Sequence, residues 1–146
     1  MRTFKDNAGR DWTVAVNVAA IKRVRSLLDV NLLKVVEGKL IERLVGDPVL
    51  LVDVIFVLCK PAADAAGVSD EQFGEAMAGD AIDSATKALL EELVDFSPSQ
   101  RDRDRAKKVL ATFWRVIDKE HDKLDLKASP ERLQAEFDKA LATVSD

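Results

Sequence analysis

The stretch that most constrains this chain is Gly46-Asp47-Pro48 with the run from Val49 to Cys59 behind it. Every position of that run except Asp53 is apolar, so the segment has no wet face to present and belongs at the centre of whatever the chain builds. Gly46 suits the position just past a helix end, Asp47 an N-cap and Pro48 the first helical residue. These signals predict a helix, although the β-branched content would also suit a buried strand. The run is far shorter than the roughly 20 residues of a membrane-spanning helix. Asp53 must reach water or a hydrogen-bond donor, because an unpaired buried carboxylate is costly or takes up a proton.

The segments around this axis read as further helices and one hairpin. Trp12, Val14 and Val16 alternate with Thr13, Ala15 and Asn17, the period of a strand with one buried face. Residues 2–6 and 11–16 flank Asp6–Arg10, where Gly9 can take positive φ, and this predicts a β-hairpin. A lone hairpin is marginal in water, so it must pack on its neighbours. Asn17 can cap a helix whose Ile21, Val24 and Leu28 share a face. Leu33, Val36, Leu40 and Leu44 recur at helical spacing and predict another, with Gly38 as its weak point. Ser69-Asp70-Glu71-Gln72 is a capping box, with Phe73 and Met77 on one face behind it. Beyond Gly79-Asp80, the stripe Ile82, Ala85, Leu89, Leu93 and Phe96 predicts a long core helix.

Composition shifts at Ser97-Pro98-Ser99-Gln100, a linker signal followed by the sign-alternating Arg101–Arg105. Ala106, Leu110, Phe113, Ile117 and Leu124 then form a helical stripe. Ser129 and Pro130 open a last amphipathic helix bearing Leu133, Phe137, Leu141 and Val144. The expected fold is therefore mainly α. It comprises a multi-helix domain with an N-terminal β-hairpin over residues 1–96 and a C-terminal helical hairpin over 97–146.

With 146 residues, 47% hydrophobic and 33% charged, the chain can bury a core without disulfide or metal support. A net charge of −4 with no clustered basic face argues against nucleic acid as a partner. The single Cys59 lies in the apolar run and reads as a buried, inert thiol of a reducing cytoplasm. The polar start Met1–Asp6 lacks the apolar region of a signal peptide, so a soluble cytoplasmic protein is expected.

The catalytic inventory is thin. The only histidine, His121, sits among Asp118, Lys119, Glu120 and Asp122 on a charged helix face. Asp118 and His121 could share a metal, but zinc needs three or four protein ligands, so a solvated histidine is the simpler reading. No Gly-rich phosphate loop or Walker lysine is present. The expectation is a non-enzymatic protein without cofactor or metal. What remains is apolar surface on the 106–124 helix, where Val109, Phe113, Trp114, Val116 and Ile117 widen the stripe beyond a two-helix seam. They either pack on the preceding domain or form a partner-binding face, for a second protein or for a second copy in a homo-oligomer.

A resemblance sharpens the functional expectation. Phe4-Lys5-Asp6-Asn7-Ala8-Gly9-Arg10-Asp11-Trp12-Thr13-Val14 and Asp47–Val54 resemble segments of small proteins from tailed-phage and prophage tail modules. So do Gly67–Phe73, Gly79–Ile82 and Leu93–Phe96. Over about residues 1–96 the chain resembles phage tail assembly chaperones. That resemblance implies a protein without catalytic residues that keeps a tape-measure protein soluble while the tail tube polymerises. The alternative is a structural or adaptor protein of a phage-like particle or oligomeric scaffold.

Overall fold

A computed structural model describes residues 1–37, 39–122 and 138–142. Strands β1 (Arg2–Lys5) and β2 (Asp11–Val14) pair antiparallel with Phe4 opposite Trp12, which puts both rings on the buried face with Val14. The helices are α1 (Val18–Leu28), α2 (Lys39–Gly46), α3 (Pro48–Ala66), α4 (Asp70–Glu75), α5 (Asp80–Phe96) and α6 (Gln100–Asp122). A 3₁₀ segment, Leu32–Glu37, precedes α2. The described fold is thus mainly α with an N-terminal hairpin, as the sequence predicts.

The hairpin turn is built around one carboxylate. The Oδ1 of Asp6 accepts from the backbone N–H groups of Ala8 and Arg10, both at 2.9 Å, while Gly9 supplies the positive φ of 83°. Its Oδ2 accepts from the Trp12 indole at 2.9 Å and the Arg10 guanidinium at 3.2 Å. Burial pushes this carboxyl upward, but the bonds from Trp12, Arg10 and Ala8 outweigh it and hold it below its ordinary value of 3.8. β1 lies against α5 and β2 against α3. Arg2 fastens the first contact by donating to Glu91, Glu92 and Asp95 of α5, each at 2.8 Å.

α3 is the predicted axis: Leu51, Val54, Ile55, Val57, Leu58, Cys59 and Ala63 are buried on it. Asp47 caps it through Leu50 N–H at 3.1 Å, and Pro48 opens it. The helix continues past the last residue of the apolar run, Cys59, and through Pro61 to Ala66. A proline there cannot donate to the carbonyl four residues back, at Val57. The Arg23 guanidinium of α1 fills that vacancy, donating to the Val57 oxygen at 2.8 Å. Arg23→Met, which keeps the stem and removes the donor, is expected to lower unfolding free energy by roughly 1–3 kcal/mol in urea melts. Adding Pro61→Ala restores a backbone donor to Val57, so the double variant regains most of that loss.

Two expectations are revised. The single helix predicted over Leu33–Leu44 is divided into the 3₁₀ segment and α2, with Gly38 outside the described residues. Asn31 starts the tighter turn, its carbonyl accepting from Lys34 N–H at 3.2 Å and its side chain from Leu33 N–H at 3.1 Å. The Val35-Val36 pair then offers little α-propensity to resist it.

The second revision concerns the boundary placed between residues 96 and 97. Ser97-Pro98 makes a corner, and Ala106, Val109, Leu110 and Phe113 of α6 join the same core as Phe4, Val54 and Leu89. The Ser97 carbonyl accepts from Arg103 at 3.1 Å and Ser99 caps Asp102 N–H at 3.1 Å, so the charged run starts a helix and is no tether. Of the second helix of the predicted C-terminal hairpin, only 138–142 is described, with Leu141 packed on that core. Residues 123–137 and 143–146 lie outside the described residues.

Candidate functional site

The Gly46-Asp47-Pro48 corner turns the chain from α2 into α3 and leaves Val45 and Pro48 on either side of it, with Leu51 one turn further. α5 runs past this corner with Ile82, Asp83, Thr86 and Lys87, and α6 closes the far wall with Phe113 and Trp114. Together these side chains line a groove with a cavity volume of about 410 Å³. Its walls are apolar: Leu51 and Phe113 are buried at its floor, while Val45, Ile82 and Trp114 are half-buried. The Phe113 and Trp114 rings stand 5.2 Å apart at 59°, bracing each other.

Polar groups are confined to the α5 side. Thr86 donates its hydroxyl to the Ile82 carbonyl at 2.7 Å, committing it to its own helix. Asp83 and Lys87, one turn apart and exposed, carry opposite charges along the rim. Beside Pro48, Val49 is 72% exposed. The apolar run was expected to be covered nearly all round, yet Val49 at its start is exposed.

The predicted partner-binding residues divide. Val109, Phe113 and Val116 are at most 6% exposed and do not form a free face, and Val109 and Phe113 belong to the core shared with the preceding helices. Trp114 is half-buried in the groove wall, and the side chain of Ile117 is not among those described. Among the described elements, α6 has α5 and the 3₁₀ segment as neighbours. Sequence reasoning missed the other walls: Val45, Pro48, Leu51, Ile82, Asp83, Thr86 and Lys87 come from three separate elements. The Gly46-Asp47-Pro48 punctuation was the available signal, since a sharp corner between two apolar segments leaves side chains partly uncovered.

The reactive groups are quiet. Burial pushes the Cys59 thiol up to about 12, and its Sγ donates to the Thr13 carbonyl at 3.6 Å. Asp53 is half-buried and raised by burial first, then by the neighbouring carboxylates of Asp70 and Asp47. Among the described residues no three His, Cys, Asp or Glu side chains gather closely enough to hold a metal ion. The side chains of Asp118 and His121 lie outside that description. No helix among the described residues is long and apolar enough to cross a membrane. No protein-family model, curated protein or solved structure matches the chain.

Proposed function

We propose that this is a non-enzymatic protein-binding protein that takes an apolar helical stretch of a partner into the groove between the α2–α3 corner, α5 and α6. We propose further that it acts in the host cytoplasm as a phage or prophage tail assembly chaperone, with a tape-measure protein as that partner. The observation that carries the reading is the groove itself: a mainly apolar cavity of about 410 Å³, with Val49 exposed next to its Pro48 wall. Helix-in-groove recognition needs this kind of surface, into which side chains at i, i+3, i+4 and i+7 insert together. Asp83 and Lys87 suit a guest helix with a basic and an acidic residue one turn apart beside its apolar stripe. The resemblance of residues 1–96 to tail assembly chaperones supports the choice of partner.

The test is co-expression with tape-measure segments, followed by binding measured through Trp114 fluorescence. Wild-type protein keeps the segment soluble and binds it. Ile82→Arg, which puts a charge on the half-buried wall, weakens binding at least about tenfold, because an apolar contact of roughly 1.5–3 kcal/mol is lost. Leu27→Arg, at an exposed position on α1, leaves binding unchanged. Failure of the wild type to bind any tape-measure segment ends the chaperone reading. Self-association that Ile82→Arg abolishes, without such binding, replaces it by the scaffold reading.

A further inference from the structure

Two side chains of the C-terminal turn, residues 138–142, meet described residues of the body of the protein. Leu141 packs against the core, and Asp138 meets the carboxyl of Glu42 on α2. The second contact is electrostatically odd, since two carboxylates do not attract. Glu42 is half-buried, and its Oε1 is buried with no hydrogen-bond partner among the described residues. An ionised carboxylate placed so loses its hydration and faces a like charge, whereas a protonated one donates to its neighbour. Among the described residues, the charged groups acting on Glu42 are Asp138 from the C-terminal turn and Lys39 from α2 itself, one acid and one base.

We propose that residues 138–142 form a pH-sensitive clasp on α2: Leu141 seats the turn on the core, and the Glu42 carboxyl that meets Asp138 decides whether it stays. The clasp closes in acid, where Glu42 holds a proton and donates it to its neighbour, and opens as that proton is lost. Burial foremost, then the hydrogen bond and the charge of Asp138, raise Glu42 from its ordinary 4.5 to about 7, against the opposing pull of Lys39. Because the docked value is the higher one, docking is strongest below pH 4.5, weakens as pH rises, and levels off above about 7. The inference stands apart from the identity of any guest.

The experiment follows the Leu141 methyl resonances of the full chain by NMR, since a methyl group reports packing and not local charge. Between pH 5.5 and 8.5 the ratio of docked to free turn falls at least about tenfold, as linkage over such a shift requires. Glu42→Gln, a neutral stand-in for the protonated acid, keeps Leu141 docked at both pH values. Asp138→Asn, an exposed change that spares the core, weakens the dependence without abolishing it, since burial of Glu42 remains. Leu141 signals that are the same at both pH values in the wild-type protein would overturn the proposal. So would an unchanged pH dependence in both variants.

Discussion

Phe73→Ala is expected to lower unfolding free energy by about 3–5 kcal/mol, the cost of emptying a large aromatic site that cannot collapse. Phe73 is wholly buried and is the largest of the fully enclosed side chains. Its ring meets Trp12 edge-on at 5.1 Å and Phe56 at 5.2 Å, so one side chain of α4 joins the hairpin to α3. Such ring pairs contribute about 0.5–1.5 kcal/mol each beyond area burial, which places the loss toward the upper end. For a chain of this size the melting temperature should fall by about 10 °C. Thermal and urea unfolding check it, with the near-ultraviolet signal of Trp12 reporting the site. A loss below about 1 kcal/mol would show that α4 is not the link between hairpin and axis. Phe73→Leu, which leaves much of the volume filled, should cost less than half as much.

Asp6→Ala comes next, at about 2–4 kcal/mol, although the residue carries a charge and sits in a turn. The side chain of Asp6 is fully enclosed, and its oxygens accept from Ala8, Arg10 and Trp12. Deleting it strands the Trp12 indole N–H and the backbone donors of the turn, and each buried donor left without a partner costs about 1–3 kcal/mol. Asp6→Asn retains one acceptor oxygen but turns its NH₂ toward other donors, so it recovers little. The same bonds set a pH dependence. Since the folded carboxyl is held below 3.8, its contribution is complete above that value and drains away as pH falls through the depressed one. Acid unfolding of the wild type should therefore be steeper below pH 4 than that of Asp6→Asn. Equal acid profiles would exclude Asp6 as a source of that steepness.

Most elements could be read in the sequence because each is signalled by neighbours in the chain. Asn17 caps α1 through Ala20 N–H at 2.8 Å, and Ser69 and Gln72 exchange capping bonds at 3.1 and 2.9 Å. Asp47-Pro48 opened α3 where expected. These are interactions within one helical turn, and residue type at fixed spacing suffices to specify them. The hairpin likewise followed from alternation and turn chemistry, though nothing in the pattern revealed that Asp6 is the hub of the turn.

What tertiary structure decided is where partly apolar faces found cover. The stripe Val109, Phe113 and Val116 could serve a partner or the core equally well, because a helix carries the same periodicity for either. Only the packing of α6 into the common core settled the burial of Val109 and Phe113. Pro61 shows the same division: the sequence disfavours a helix there, and a guanidinium from α1, 38 residues earlier, supplies the missing donor to Val57. The groove walls come from α2, α3, α5 and α6, segments far apart in the chain, so no local pattern could mark them. Sequence by itself determined the helices, their caps and the central place of the Val49–Cys59 run, because short-range hydrogen bonding and hydrophobic period act within a turn. The tertiary arrangement alone determined which apolar side chains remain reachable, because exposure is a property of packed neighbours and not of the residue that is exposed.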